Sequence, residues 1–172
     1  MIAGPDLVTE AGPATAASLG ALWTAVTRAG GAVGFAPDAP EADIREAAEQ
    51  AVADVRAGRA QMFALTRGDD LVGTVFLRRG EKATVRHRAD VVRLMVHPDL
   101  QGRGWGKALL DAAVAHATAL GLEQLLLSAR GGTTLPDFYE KLGWRQVGRF
   151  PDALRIGPGD LRDEHWFQLK LS

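Results

Sequence analysis

The 172-residue chain contains no cysteine, and this absence removes several kinds of chemistry at once. Without thiols there is no disulfide scaffold, no thiolate-zinc site and no cysteine nucleophile for covalent catalysis. An excess of charge of one sign is also missing. The formal net charge is −1, so no basic field indicates a nucleic-acid partner. No metal site and no nucleic-acid partner are predicted.

Long apolar runs are absent too. No apolar stretch approaches the ~18 residues that a membrane span requires, and no basic segment followed by an apolar core opens the chain. We therefore expect a cytoplasmic protein without membrane contact. What is present is ordinary for a globular protein, with 47% hydrophobic and 24% charged residues. The length suits one domain over residues 1–172.

The most informative stretch runs from Val91 to Leu110. An apolar segment ends at Pro98, which cannot continue a central strand, and apolar residues recur at helical spacing after Gly104. Gly102, Gly104 and Gly106 therefore lie where a strand gives way to a helix. Free amides and the positive end of the helix dipole converge at such a place, which favours an anion such as a pyrophosphate.

Three kinds of phosphate-binding loop contain glycines of this sort, and two of them fail on spacing. The nucleoside-triphosphatase loop needs a glycine separated from Gly-Lys by four residues, with Ser or Thr after the Lys, but Gln101 and Ala108 occupy those places. The dinucleotide fingerprint Gly-x-Gly-x-x-Gly needs a glycine where Lys107 stands. The third pattern, Gln/Arg-x-x-Gly-x-Gly/Ala directly after a strand, is matched in full by residues 101–106.

This third pattern resembles the acyl-CoA loop of the GCN5-related N-acetyltransferase (GNAT) family. Two further segments support the resemblance, in the family's order and at its usual separations: Leu94-Met95-Val96-His97-Pro98 and Phe138-Tyr139-Glu140-Lys141-Leu142-Gly143-Trp144. The good match covers roughly residues 60–150. Within the family, residues 93–98 and 150–154 look nearest to tabtoxin-resistance-like acetyltransferases, although Ser128 stands where that subgroup tends to carry an Asp.

The resemblance implies an α+β fold in three layers. We expect a mixed, mostly antiparallel sheet of about seven strands with about four helices, whose strands splay apart at the cofactor site. Charged residues 78–88 are predicted to form a flexible connection, and Pro- and Gly-rich residues 151–164 a loop. The acceptor site would be shaped by residues 30–36, 80–89 and 151–164.

By the same resemblance, acetyl-CoA is the acyl donor. Backbone amides of the loop would hold its pyrophosphate, a side chain at Gly104 or Gly106 would clash there, and Arg103 and Lys107 would add charge. The pantetheine arm would lie along the preceding strand, where an amide polarises the thioester carbonyl. The expected cofactor-binding residues are Leu94, Met95, Val96, Gln101, Gly102, Arg103, Gly104, Trp105, Gly106 and Lys107, although Trp105 suits packing better than binding.

Tyr139 is the predicted catalytic acid. It is the only tyrosine of the chain, and it lies in a segment where Phe138 and Leu142 are predicted to fix a short helix to the core. A phenol can donate its proton to the sulfur as the thiolate leaves. The other interpretations of Tyr139 are simple packing, or a hydrogen bond that binds the thioester.

Asp90 is the predicted base. It stands eleven residues before Gln101, the position at which family members with an acidic base on the core strand carry it. Strand alternation predicts that Asp90 shares a face with Val92 and Leu94. An ordered water stays open as the base, as do three other side chains: Glu81, His87 and Asp137.

The sequence thus predicts an acetyl-CoA-dependent N-acetyltransferase that works by direct transfer in a ternary complex, because no cysteine is available to carry the acetyl group. The expected acceptor is the primary amine of a small molecule: an amino-acid-like toxin, an antibiotic or a metabolite. Two alternatives stay open, a protein acetyltransferase acting on a lysine or an N-terminus and an acyl-CoA-binding sensor without turnover. Edge strands near the C-terminus would allow a homodimer.

Overall fold

A computed structural model describes residues 1–172 as four helices and seven strands. The strands are β1 (Ala3–Leu7), β2 (Ala60–Arg67), β3 (Asp70–Arg79), β4 (Arg88–Val96), β5 (Gln124–Arg130), β6 (Arg145–Gly157) and β7 (Asp160–Lys170). The helices are α1 (Pro13–Arg28), α2 (Glu41–Arg56), α3 (Trp105–Ala119) and α4 (Leu135–Lys141). None of the helices is long and apolar enough to cross a membrane.

All seven strands form one sheet in the order β1-β2-β3-β4-β5-β7-β6. Every neighbouring pair is antiparallel except β4 and β5, which are parallel. The predicted mixed, mostly antiparallel α+β fold is therefore confirmed.

Two apolar cores lie on opposite faces of this sheet. Helices α1 and α2 cover one face through stripes at helical spacing, of which Leu19 and Ile44 are fully buried. Helices α3 and α4 cover the other face, where Leu109 and Phe167 are fully buried. Each such apolar side chain contributes about 1.5–3 kcal/mol by leaving water. The cores hold the sheet rigidly between two helical layers, and strand β4 contributes side chains to both.

Strands β4 and β5 separate after three residue pairs. Their pairing covers Arg88–Asp90 beside Gln124–Leu126 and then ends. Beyond that point Val91–Val96 pairs with β3 alone, so backbone groups on the other side of β4 have no strand partner. The predicted splay of the sheet is confirmed, and it opens a cleft beside β4.

A β-bulge interrupts β4 at Arg93. Phe76 of β3 pairs with Val92 of β4. Thr74 lies two residues before Phe76 on β3, but its partner Met95 lies three residues after Val92 on β4. Strand β4 therefore has one more residue than β3 between the two pairs. Arg93 takes up the extra residue with a φ of +53°, a conformation that residues other than glycine rarely adopt. The Oγ1 atom of Thr74 donates a hydrogen bond to the Arg93 carbonyl at 3.1 Å and so holds the bulge.

The bulge changes which side of the sheet each residue faces. Val92 packs against the α1/α2 core, whereas Leu94 packs against the α3/α4 core. The prediction that Asp90, Val92 and Leu94 share one face is therefore wrong. It assumed an unbroken period of two, and the extra residue at Arg93 shifts the alternation by one.

The predicted loop at 151–164 is also wrong. These residues belong mostly to β6 and β7, which form a hairpin that turns at Pro158 and Gly159. Pro151 is tolerated because β6 is the edge strand of the sheet and its pairing is irregular between Phe150 and Leu154.

The predicted connection at 78–88 is shorter than expected. Strand β3 continues to Arg79 and β4 begins at Arg88, and a 3-10 turn occupies Ala83–Val85 between them. The charged residues at both ends of this segment therefore lie on strands.

Candidate active site

The start of α3 presents a row of unpaired backbone amides. Gly104 is the N-cap residue with a φ of +85°, and the first helical hydrogen bond runs from the Ala108 N–H to the Gly104 carbonyl at 3.0 Å. None of the six N–H groups from Gly102 to Lys107 donates to a protein acceptor. Because the positive end of the dipole of this 15-residue helix adds to them, these amides suit a diphosphate.

The glycines leave the space above this row open. A Cβ atom built on Gly104 would meet no protein atom within 4 Å. On Gly106 it would meet only Phe138 and Val96, at the ordinary contact distances of 3.9 and 4.0 Å. The protein itself therefore has room for side chains there, and the expected clash stays a prediction about the bound cofactor.

A cleft of about 480 Å³ extends from this loop along β4. Nine of the ten predicted cofactor-binding residues line it: Leu94, Met95, Val96, Gln101, Gly102, Gly104, Trp105, Gly106 and Lys107. The tenth, Arg103, is exposed and lies outside the cleft. Apolar side chains such as Leu100 and Phe138 complete the lining, so the cleft offers free amides at one end and an apolar wall beyond them, which fits an acyl-CoA.

Two polar side chains of the loop have protein partners. The Gln101 side-chain amide donates to the carbonyl of Val96 at 3.0 Å, which ties the loop to the last residue of β4. The Lys107 ammonium lies 2.5 Å from the carboxylate of Asp111, one turn further along α3. Gln101 therefore positions the loop, and the charge of Lys107 is shared with a neighbouring carboxylate.

A second cavity, of about 430 Å³, adjoins the cleft just described, which we call the cofactor cleft. The two share Ala32, Val33, Leu94 and Leu135 in their walls. Both predicted catalytic residues, Tyr139 and Asp90, line this second cavity, which we call the acceptor cavity. The other three candidate bases line neither cavity; they are Glu81, His87 and Asp137.

Tyr139 is held in the α3/α4 core with only 6% of its surface exposed. Its ring packs against Phe138, Trp144 and Phe167, with centroid distances of 5.2, 6.1 and 5.8 Å. Burial disfavours the phenolate and raises the pKa of Tyr139 to about 12. The hydroxyl group therefore stays protonated at neutral pH, and no protein group accepts a hydrogen bond from it.

Asp90 lies where the sheet begins to open, since its pair with Leu126 is the last one between β4 and β5. Its carboxylate is 3.4 Å from Nη2 of Arg78, and the Asp90 side chain remains 37% exposed. The carboxylate is thus accessible from the acceptor cavity and has one cationic neighbour.

The loop between α1 and α2 lines both cavities, in agreement with the expectation that residues 30–36 help to shape the acceptor site. The Trp23 indole N–H donates to the Val33 carbonyl at 2.9 Å, and the Trp23 ring meets Phe35 edge-on at 5.6 Å. These contacts anchor residues 30–35 over the site. Trp23 belongs to a helical apolar stripe, a pattern that does not distinguish a core residue from one that also lines a cavity.

Arg93 is a functional candidate that sequence reasoning missed. It lines the acceptor cavity, and its guanidinium carbon lies over the rings of Trp23 and Phe76 at 5.5 and 5.3 Å. Burial is the main cause that lowers the pKa of Arg93. The available signal was a charged residue inside the apolar run of β4, Val-Val-Arg-Leu-Met-Val.

Comparison with known proteins identifies the family. The family model of the acetyltransferase (GNAT) domain matches residues 35–150, more than half of the chain. The mycothiol acetyltransferase of Propionibacterium freudenreichii subsp. shermanii is 40% identical over 63 residues. That alignment covers 36% of this chain and only 20% of the relative, so the aligned segment corresponds to about a fifth of that protein.

Solved structures show the same fold at low identity. A GNAT-family protein from Desulfovibrio desulfuricans superimposes with a TM-score of 0.76 at 18% identity, over 100% of both chains. A Salmonella typhimurium protein solved with its cofactor acetyl-CoA gives a TM-score of 0.74 at 15% identity, over 96% of this chain and 94% of that one. By fold and by family model, the chain belongs to the GNAT family of acetyltransferases, whose acyl donor is acetyl-CoA.

Proposed function

We propose that the protein transfers the acetyl group of acetyl-CoA directly to the primary amine of a small molecule. The observation that carries this proposal is the junction of the two cavities at Leu94, with Tyr139 and Asp90 on the acceptor side. A volume of about 430 Å³ is in the range of small-molecule sites. An amine bound there would adjoin the cleft proposed for the thioester.

Acetyl-CoA would supply the thioester carbonyl that the amine attacks. The free amides of Gly102–Lys107 are proposed to hold its diphosphate, and Gln101 to keep this loop against β4. Backbone groups of Leu94–Val96, which face the splay without a strand partner, would hold the pantetheine arm and donate to the carbonyl oxygen. Such donors lower the barrier because they are already oriented when negative charge develops on that oxygen.

Tyr139 is proposed to donate its O–H to the sulfur as the thiolate leaves. An ordinary thiol has a pKa of about 8.5, well below the value of about 12 for this phenol. The phenol is therefore above all a hydrogen-bond donor that stabilises the departing thiolate, and any proton that it passes to the sulfur is replaced from solvent before the next turnover. Its unused hydrogen-bonding capacity and its place in the cavity wall support this role.

Asp90 is proposed to take the proton that the attacking amine must lose. A neutral amine is the nucleophile, so a base must remove one proton from the ammonium form or from the nitrogen during attack. Asp90 is the only carboxylate in the wall of the acceptor cavity. Its exposure of 37% supports exchange of that proton with solvent.

The acceptor class is tested by measuring thiol release from acetyl-CoA with three sets of compounds: small primary amines, lysine-containing peptides and peptides with free N-termini. We expect release with small amines, and we expect Asp90→Asn to reduce it. Release with peptides alone would favour a protein acetyltransferase. Tight acetyl-CoA binding without amine-dependent release would contradict the proposal and favour a sensor.

A further inference from the structure

Arg93 is a half-buried cation that forms no salt bridge with an acidic side chain of the protein. Its guanidinium carbon lies over Trp23 at 5.5 Å and over Phe76 at 5.3 Å, within the ~6 Å range of cation–π contacts. The acidic group that acts on it electrostatically is Asp54, but that carboxylate is bound to Arg59 at 2.7 Å. The guanidinium of Arg93 donates no hydrogen bond to the protein, so its five N–H donors are available.

The β-bulge is what brings this cation to the acceptor cavity. Val92 faces the α1/α2 side, so in a regular strand the next residue would point into the α3/α4 core. At the bulge, Arg93 also faces the α1/α2 side, where both of its aromatic partners lie. A positive φ at arginine costs conformational energy and persists only where the surroundings fix it, as the buried Thr74 does here.

The charges of the acceptor cavity do not balance without a further anion. Three charged side chains line it: Arg78, Asp90 and Arg93. Arg78 and Asp90 face each other at 3.4 Å, which leaves Arg93 as the uncompensated charge. A guanidinium in a half-buried site binds a carboxylate strongly, because its fixed fork of N–H groups matches the two oxygens.

We propose that Arg93 binds a carboxylate of the acceptor, so that the substrate is an amino acid or a related amine that carries a carboxylate. The amine end would then lie toward Asp90. In its reactive form, with a neutral amine, the acceptor carries one negative charge, which balances the excess positive charge of the cavity. This inference rests on the proposed function, since it names the substrate class of the same site.

The test compares each amino acid with two forms that lack the negative charge. L-Leucine, L-methionine, L-phenylalanine, β-alanine and 4-aminobutyrate are assayed for thiol release beside their primary amides and their decarboxylated amines. The amide lowers and the decarboxylated form raises the basicity of the amine, so a preference over both reports the carboxylate itself. The variants are Arg93→Gln, Arg93→Lys and, as a control on the exposed end of β3 outside both cavities, Arg79→Gln.

We expect kcat/KM for the best amino acid to exceed that of its amide by about 10- to 100-fold, the range for one charge-assisted contact. Arg93→Gln should abolish this preference by raising KM for the acid while KM for acetyl-CoA stays constant. Arg93→Lys should retain part of the preference, and Arg79→Gln all of it. The preference of the unmodified protein is informative even where a variant fails to fold.

Two results would overturn the proposal and leave amine acetylation standing. One is an unmodified protein that uses amides or decarboxylated amines as well as the acids. The other is an Arg93→Gln variant that loses activity equally on all three forms, which would make Arg93 only structural. Acetyl-CoA binding without acetylation of any amine would instead refute the proposed function, and with it this inference.

Discussion

The hydroxyl group of Tyr139 is proposed to have a chemical role, whereas its ring has a structural one. It makes no hydrogen bond to the protein, whereas the ring packs against three aromatic neighbours. Tyr139→Phe should therefore keep the melting temperature and the Kd for acetyl-CoA, but lower kcat by about 100- to 10,000-fold, the usual range for a proton donor. Thiol release and calorimetry measure the two quantities. An unchanged kcat would remove Tyr139 from the mechanism.

The pKa of Tyr139 also makes a prediction about stability. Because its pKa rises from 10.0 to about 12 on folding, the native state keeps a proton between pH 10 and 12 that the unfolded chain has lost. The free energy of unfolding should thus be unaffected by this group below pH 10 and fall by about 3 kcal/mol as pH rises through 12.

The single tyrosine makes this pH effect directly visible. Near-ultraviolet absorbance of tyrosinate should appear near pH 12, or together with unfolding, rather than at pH 10. The Tyr139→Phe variant is the control, and it should lack this part of the alkaline loss of stability. Ionisation near pH 10 in a protein that is still folded would contradict the burial argument.

The glycine loop at the start of α3 allows a matched pair of substitutions. Gly104 and Gly121 flank the same helix, have φ values of +85° and +74°, and have no atom within 4 Å of a built Cβ. Glutamate at either place should cost about 1–2 kcal/mol of stability through the left-handed backbone.

Only the substitution at Gly104 should affect acetyl-CoA. Gly104→Glu puts a carboxylate among the amides of Gly102–Lys107 and should weaken acetyl-CoA binding by about 100-fold or more, whereas Gly121→Glu should leave it unchanged. Isothermal titration gives the affinities, and melting curves show that both variants fold. Equal affinities would refute the assignment of the loop to the diphosphate.

The bulge in β4 depends on one hydrogen bond from a neighbouring strand. Thr74→Val keeps the side-chain shape but leaves the Arg93 carbonyl without its 3.1 Å partner, and should cost about 1–3 kcal/mol in denaturant unfolding. Thr66→Val on β2, whose hydroxyl makes no protein hydrogen bond, is the control and should change stability little. Similar losses in both variants would show that Thr74 does not hold the bulge.

Sequence patterns predicted the parts of the site whose residues are close together in the chain. The loop from Gln101 to Lys107 and the helix after it follow from the spacing of glycines and apolar residues within about twenty positions. The same pattern led through the family resemblance to the splay of β4 and β5. Asp90 and Tyr139 were also found by position within that resemblance, and the fold brings them into the wall of one cavity.

Contacts between distant residues explain what the sequence did not reveal. The bulge at Arg93 depends on Thr74, which lies nineteen residues earlier on another strand. Residues 151–164 contain Pro and Gly at a density typical of loops, but pairing between β6 and β7 turns most of them into strand. Propensity is a weak guide where tertiary pairing decides the conformation.

At the scale of the whole molecule, strand β4 of the sheet forms a wall that the two cavities share. The cofactor cleft opens where β4 leaves β5, and the acceptor cavity shares the wall at Leu94 under the loop at 30–35. In the proposed function both substrates are therefore bound together, and neither has to leave before the other enters. The chain has no cysteine to carry an acetyl group between two half-reactions.

We accordingly expect a sequential reaction through a ternary complex. Double-reciprocal plots of initial rate against amine concentration, at several acetyl-CoA concentrations, should intersect to the left of the ordinate. Mass spectrometry after incubation with acetyl-CoA alone should show no acetyl group bound to the protein. Parallel lines together with an acetylated intermediate would contradict direct transfer, because they require the acetyl group to reside on the protein after CoA departs and before the amine attacks.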